Sequence, residues 1–189
     1  MVTREEMLAE VVERELAMFL EVRNRGGRAD CQEQPEAFRL MRRMTHAVLS
    51  DAFAESYLED LRRGEADGRN FMTEKYAVME GQIPPFNPDP RIRDISRSEC
   101  AWRDAIAAAY PLVVEADGGD AFRRYLFAEL QTYSAATIGA YADCVATAHR
   151  EDRNLAGERY ELLMRELGFG SLAEREAAMR KAGSAGARG

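Results

Sequence analysis

The chain has 189 residues, enough to bury roughly 70% of the surface its unfolded form exposes, so its core needs no disulfide or metal. Hydrophobic residues make up 46% and charged residues 31%, which excludes a wholly disordered, collagen-like or mucin-like chain. Lys and Arg number 26 against 33 Asp and Glu, a formal net charge of −7, and an acidic chain repels phosphate backbones, so nucleic acid is not the expected partner.

The first predicted helix covers about 3–24. Thr3 followed by Glu6 has capping-box spacing, and Leu8, Val11, Val12, Leu16, Phe19 and Leu20 recur with helical period. Gly26-Gly27 is the expected stop, followed by a polar loop through Gln34. Pro35 suits a first helical turn, where its missing amide costs nothing, and a long helix, with room for a bend, is predicted from there to about Arg63. Gly64 and Gly68 bracket a turn, and a further helix runs from near Asn70 to near Gly81.

Pro84, Pro85, Pro88 and Pro90 then make an extended linker that cannot be helical. Helix returns over about 91–109. Asp117-Gly118-Gly119 is a turn, a long helix is predicted from Asp120 to Arg150, and another from Asn154 to Gly168. Ser171 and Glu174 repeat the capping-box spacing and open a short C-terminal helix over about 172–181. The glycine-rich tail 183–189 reads as disordered. Period-two alternation is absent, so the fold class is all-α, a single helical domain over 1–182.

A shift of 84 residues lays 37–79 over 121–163 without a gap, with ten of 43 positions identical. Ala37-Phe38-Arg39 meets Ala121-Phe122-Arg123, Tyr57 meets Tyr141, Arg69-Asn70 meets Arg153-Asn154, and Glu74, Lys75 and Tyr76 meet Glu158, Arg159 and Tyr160. Upstream, Glu15 lies over Glu99 and Met18 over Trp102. The expected architecture is a helical bundle of two pseudo-repeated three-helix units, about 3–81 and 91–168, joined by the Pro-rich linker and packed about a pseudo-two-fold axis. Shared amphipathic patterning alone is the competing explanation of the matches.

Cys31, Cys100 and Cys144 are too sparse for a disulfide framework and read as reduced thiols. The charged start does not read as a signal peptide, so none is expected, and no stretch approaches the roughly 20 apolar residues a membrane span needs. The expected location is cytoplasmic, with no membrane partner. His46 and His149 lie in no Glu-x-x-His pattern, and neither paired-cysteine zinc motif nor phosphate-binding glycine loop occurs, so no metal or cofactor is expected. His149 reads as a dipole partner at a helix end, and His46 as a surface or satisfied core histidine.

Three features carry candidate chemistry. The repeated Arg-Asn…Glu-(Lys or Arg)-Tyr has a capping explanation, since Asn70 and Asn154 stand at helix starts, and a binding one, since Arg69 and Arg153 can grip a carboxylate with two parallel bonds. Cys31, beside Arg28 and near a helix start, is either an activated thiolate or a small buried hydrophobe. Tyr125, Glu129, Tyr133, Thr137 and Tyr141 recur every four residues. This stripe is either an interface whose hydroxyls bond each other or a pocket that raises the pKa of Glu129 and makes it a general acid or base.

The runs Arg28-Ala29-x-Cys31-Gln32, Phe38-x-x-Met41-Arg42, Gly68-Arg69-Asn70-x-x-x-Glu74-Lys75-Tyr76, Tyr125-Leu126-x-x-Glu129-Leu130-x-Thr132-Tyr133-Ser134 and Leu167-Gly168-Phe169 resemble domain-of-unknown-function family 4125, over about residues 7–175. The resemblance implies no activity. It marks Arg28, Cys31, Gln32, Arg42, Arg69, Glu74, Lys75, Tyr76, Glu129 and Tyr133 as signature positions, whose polarity fits a shared site better than a shared core. The chain departs from the family pattern at Thr45-His46-Ala47-Val48-Leu49, where relatives favour Gln and Trp.

Together these readings favour a metal-independent lyase or isomerase acting on a small anionic, amino-acid-like carboxylate between the two halves. Arg28, Gln32, Arg42, Arg69 and Lys75 would bind the ligand, Glu129 or Glu74 with Tyr133 or Tyr76 would move protons, and Cys31 would be a nucleophile. The alternatives are a non-catalytic ligand-binding or protein-interaction module, and a homodimeric scaffold that uses the aromatic stripe as its interface.

Overall fold

Thr3 opens the first helix as its spacing predicts: its hydroxyl accepts from the Glu6 amide at 3.2 Å, and the Glu6 carboxylate accepts from the Thr3 amide at 2.7 Å. In the computed structural model, which describes residues 3–23, 30–116 and 120–186, the chain is all α-helical with no strand among the described residues. Nine helices occur there: α1 (Arg4–Glu21), α2 (Pro35–Ala47), α3 (Asp51–Ala66), α4 (Phe71–Met79), α5 (Arg91–Ala109), α6 (Asp120–Leu130), α7 (Ala135–Arg150), α8 (Leu155–Glu166) and α9 (Leu172–Gly186). A single 3₁₀ turn covers Asp30–Glu33. The predicted turns at Gly26-Gly27 and at 117–119 lie outside the described residues, as do Arg28 and the side chain of Cys31.

Helix α1 packs on α2, α3 and α4, and α5 packs on α6, α7 and α8. The two sets interlock: α3 lies on α7, α4 on α6, and α8 on α2. One main core runs between them, centred on Phe53, Tyr57, Tyr133 and Tyr141, with Leu61, Leu130 and Ile138 fully buried. Each such aliphatic side chain stabilises the fold by roughly 1.5–3 kcal/mol relative to exposure. A smaller cluster of Ala107, Val114, Met164 and Leu172 seats α9.

Both predicted long helices are broken. The first ends at Ala47 and restarts after Ser50, whose hydroxyl accepts from the Phe53 amide. The second ends at Leu130 and restarts after Ser134, whose hydroxyl accepts from Thr137. Distant side chains stabilise the second break. Asp60 accepts from the Ser134 amide and the Thr137 hydroxyl, Gln131 Oε1 accepts from the Phe86 and Asn87 amides, and Asn87 donates to the Tyr133 carbonyl. Residues 84–89, in the proline-rich segment, are neither helix nor strand and lie along this break.

Three smaller differences have local causes. Helix α1 stops at Glu21, because Gln32 Nε2 takes up the carbonyls of Phe19 and Val22. Gly64 lies inside α3 rather than after it: a Cβ there would stand 2.7 Å from the Phe71 ring, so the glycine serves close packing. Helix α9 continues through Gly183 to Gly186, where a disordered tail is expected; one glycine in an alanine-rich helix costs about 1 kcal/mol and does not end it.

Several hydrogen bonds recur 84 residues apart. Asn70 caps α4 and donates to the Met18 carbonyl at 2.8 Å; Asn154 caps α8 and donates to the Trp102 carbonyl at 3.1 Å. Tyr57 donates to Glu15, and Tyr141 to Glu99, each at 2.8 Å. Each asparagine thus ties a helix start to a helix of its own half. Asn70→Ala and Asn154→Ala should each cost about 1–2 kcal/mol, lowering Tm by roughly 2–8 °C in a thermal melt. Asn70→Ser, which keeps an accepting oxygen at the cap, should lose less.

Candidate functional site

Arg42 is the centre of a buried polar cluster. It stands on α2 with 3% of its side chain exposed, and all five guanidinium hydrogens have acceptors. Nε and Nη2 donate to the two oxygens of Glu15 on α1. Nη1 and Nη2 donate to the two oxygens of Glu129 on α6, both at 3.0 Å, and Nη1 also meets the Tyr125 hydroxyl at 3.3 Å. Glu129 accepts further from Lys75 Nζ at 2.6 Å and from the Tyr133 hydroxyl at 2.9 Å. The Lys75 ammonium lies 3.4 Å from the centroid of the Tyr125 ring. Glu15 accepts further from Tyr57, and its oxygens lie 3.1 and 3.2 Å from His46 Nε2.

A second cluster stands on the other half. Arg159 of α8 donates to both oxygens of Glu99, at 2.6 and 3.0 Å, to the Tyr141 hydroxyl and to the Thr45 carbonyl of α2. Across the two clusters three carboxylates, Glu15, Glu99 and Glu129, pair with three basic side chains, Arg42, Lys75 and Arg159.

Burial and these neighbours set the protonation states. Burial alone would raise the carboxyl of Glu129, but Arg42 and Lys75 outweigh it and hold the group well below the ordinary range. The expectation of a raised Glu129 pKa in an aromatic pocket is therefore corrected: two buried cations reach it, which the stripe does not reveal. Burial likewise opposes ionisation of Glu15, and Arg42 and His46 bring it down to about 2. Burial, then the adjacent carboxylates, push the hydroxyls of Tyr133 and Tyr141 well above the ordinary phenol range, so both keep their protons. Glu129 is an ionised counter-ion with four donors, a poor general base.

Beside these clusters lies a cavity of about 510 Å³, bounded by α2, α5, α6, α7 and α8 with Met79 of α4. Its walls are mainly apolar, with Met41, Met44, Leu49, Phe122, Leu126 and Ala156 among them. Arg42, His46, Glu99, Glu129, Tyr133, Tyr141 and Arg159 supply the polar part of its lining.

Four of the expected site residues, Arg42, Lys75, Glu129 and Tyr133, meet in the first cluster. Arg69 and Glu74 do not join them. They pair with each other on the surface at 2.6 and 2.9 Å, with the Arg69 guanidinium over the Phe71 ring, and Arg153 and Glu158 repeat the pairing. Such exposed pairs contribute about 0–1 kcal/mol. Tyr76 is half-buried against Phe19, and Gln32 closes the end of α1. The stripe from Tyr125 to Tyr141 is divided among α6, the break that holds Tyr133, and α7, and Glu129, Tyr133, Thr137 and Tyr141 are buried, so it is not an exposed interface. Sequence reading missed Glu15, His46, Tyr57, Glu99 and Arg159. The 84-residue matches of Glu15 with Glu99, Tyr57 with Tyr141 and Lys75 with Arg159 were the available signal for four of them.

Residues 5–177 match the model of a family described as "Protein of unknown function (DUF4125)". Neither a curated protein nor a solved structure matches the chain. Among the described residues no helix is long and apolar enough to cross a membrane.

Two outcomes follow from the buried charges. Glu129→Gln leaves Arg42 and Lys75 under-compensated in the core and should cost about 3–5 kcal/mol in urea unfolding, while adding Lys75→Met should recover part of the loss. The folded-state pKa of Glu15, about 2, lies below its ordinary 4.5. A depressed carboxyl contributes stability that is complete above the unfolded value and is lost as pH falls through the folded one. Tm should therefore fall as pH drops from 4.5 towards 2, by an amount reflecting roughly 3 kcal/mol from this group. Glu15→Gln should be less stable at neutral pH and show a shallower decline in that window.

Proposed function

The chain belongs to the DUF4125 family, and from that premise we propose that it is a small-molecule-binding protein whose site is the cavity between its two helical halves. One observation carries this reading: a cavity of about 510 Å³, apolar over most of its wall, backed by charged groups that already satisfy one another. That size falls within the roughly 300–1,000 Å³ of small-molecule sites, and the mixture of an apolar wall with a few fixed polar atoms is their usual lining.

The lyase or isomerase reading draws less support from the same geometry. It needs Glu129 free to take a proton and Arg42 free to hold a substrate carboxylate. Glu129 has four donors, and Arg42 has no hydrogen left over. A binding role asks less of these groups, because they need only hold the cavity wall still.

The proposal includes duplication of a helical unit. Matching caps at Asn70 and Asn154, matching surface pairs at Arg69–Glu74 and Arg153–Glu158, and matching Tyr–Glu bonds support it. The cavity then lies where two related units meet, and it is asymmetric. Arg42 and His46 stand where the other unit has Leu126 and Leu130, and Glu129 stands where the first unit has Thr45, so the polar groups of the two walls do not match.

A thermal-shift screen against amino acids, keto acids, nucleotides, sugar phosphates and neutral aromatic and aliphatic molecules tests this. A ligand at about 100 times its Kd adds roughly 2.7 kcal/mol, an increase in Tm of about 5–10 °C. Ala156 is buried on the cavity wall, so Ala156→Phe should fill the space and abolish the shift for any hit. A hit whose shift survives Ala156→Phe would place its site elsewhere and defeat the proposal.

A further inference from the structure

The carboxylates on the cavity wall already have their donors. Glu129 accepts from Arg42, Lys75 and Tyr133, and Glu99 accepts from Arg159 and Tyr141. Several donors on the same wall still lack acceptors. Arg159 has four of its five hydrogens on Thr45, Glu99 and Tyr141, which leaves one on Nη1. The Tyr125 hydroxyl accepts from Arg42 and donates to no described residue. The Tyr160 hydroxyl bonds to no described residue, and it is not among the unpaired polar atoms closed off from solvent. Of the two arginines that grip buried glutamates here, Arg42 keeps 3% of its side chain exposed and Arg159 keeps 13%. Arg159 is therefore the one within reach of a molecule in the cavity, and what the wall lacks is an acceptor.

Charge narrows the class. The lining holds three arginines, Arg42, Arg103 and Arg159, against two glutamates, Glu99 and Glu129. Behind it Glu15 and Lys75 add one charge of each sign. His46, protonated or neutral, subtracts nothing from this excess. Arg103 lies four residues after Glu99 on α5, so it is a neighbour of the carboxylate that Arg159 grips. It donates to the Glu115 carbonyl and lies over the Phe122 ring. A cationic ligand would add to the excess and find no unmatched carboxylate. A carboxylate would offset it and accept from the hydrogens left over, in bonds that charge strengthens.

We infer that the cavity takes a carboxylate carried on an apolar body, with Arg159 holding the carboxylate through its remaining Nη1 hydrogen and the walls of Met44, Leu49, Leu126 and Ala156 receiving the body. This rests on the binding reading above. It keeps the anionic class expected from the arginines and moves its anchor to Arg159, because Arg42 is committed to Glu15, Glu129 and Tyr125 and Arg69 pairs with Glu74 on the surface.

Three probes of similar shape test it on the full chain: 4-tert-butylbenzoate, 4-tert-butylbenzamide and 4-tert-butylbenzylamine, which are an anion, a neutral molecule and a cation at neutral pH. Affinities are read by NMR titration through the methyl groups of Met41, Met44 and Met79 on the cavity wall. The benzoate should bind roughly tenfold more tightly than the amide, the margin of a charge-assisted bond over a neutral one, and the amine most weakly. Glu99→Gln combined with Arg159→Met removes both charges of that pair together, so neither is left buried and unmatched. In this double variant the benzoate should lose most of its preference over the amide. If the variant does not fold, the Arg159 Nε–H resonance of the unaltered protein decides: the benzoate should shift it and the amine should not. Tightest binding by the amide or the amine, an undiminished benzoate preference in the double variant, or benzoate binding that leaves the Arg159 resonance unmoved overturns the inference while the cavity reading stands. Failure of all three probes to perturb the methionine methyls overturns the cavity reading and the inference with it.

Discussion

The fold depends on satisfying one guanidinium. Arg42 is buried where an unpaired charge would cost several kcal/mol, so every one of its hydrogens needs an acceptor. Glu15 from the first half and Glu129 from the second supply four of them, and Tyr125 the fifth. Those acceptors sit on α1 and α6, so α2 is clamped between two helices that are far apart in the chain. Lys75 brings α4 to the same carboxylate. Apolar contacts here tolerate a range of helix positions, whereas the bidentate pairs define one.

The same constraint explains the chemistry of the site. Carboxylates that neutralise buried cations are held ionised, and the tyrosines bonded to them keep their protons. A catalytic acid or base needs a proton it can exchange, and these groups are tuned away from exchange. What remains is shape, an apolar wall and one uncommitted hydrogen on Arg159. That combination suits recognition of a ligand through fit and one or two directed bonds.

The helix breaks belong to the same scheme. Unbroken helices over 35–63 and 120–150 would be rods along the molecule. Ending them at Ala47 and Leu130 lets α3 and α7 turn and pack on each other, which brings Phe53 and Tyr57 against Tyr133 and Tyr141. The resulting aromatic centre carries the hydroxyls that reach Glu15, Glu99 and Glu129. The breaks are hard to read from sequence because Ser50 and Ser134 cap without a glycine or proline beside them. The acceptor that secures Ser134 is Asp60, 74 residues away.

Local and periodic features were legible from the chain alone. Capping chemistry at Thr3, Asn70 and Asn154, the apolar period of α1, the proline segment and the all-α class all follow from interactions within a few residues. The family resemblance marked Arg42, Lys75, Glu129 and Tyr133 among ten signature positions, and their polarity pointed to a shared site. Tertiary structure alone decided what that group does. The pKa of Glu129 is set by Arg42, 87 positions away, and by Lys75, 54 positions away, and no spacing within its own helix encodes them. Arg69 and Arg42 look alike as arginines beside signature residues, yet one meets solvent and the other a core. Burial separates them, and burial is a property of the packed chain, because it depends on which helices come to lie over each side chain.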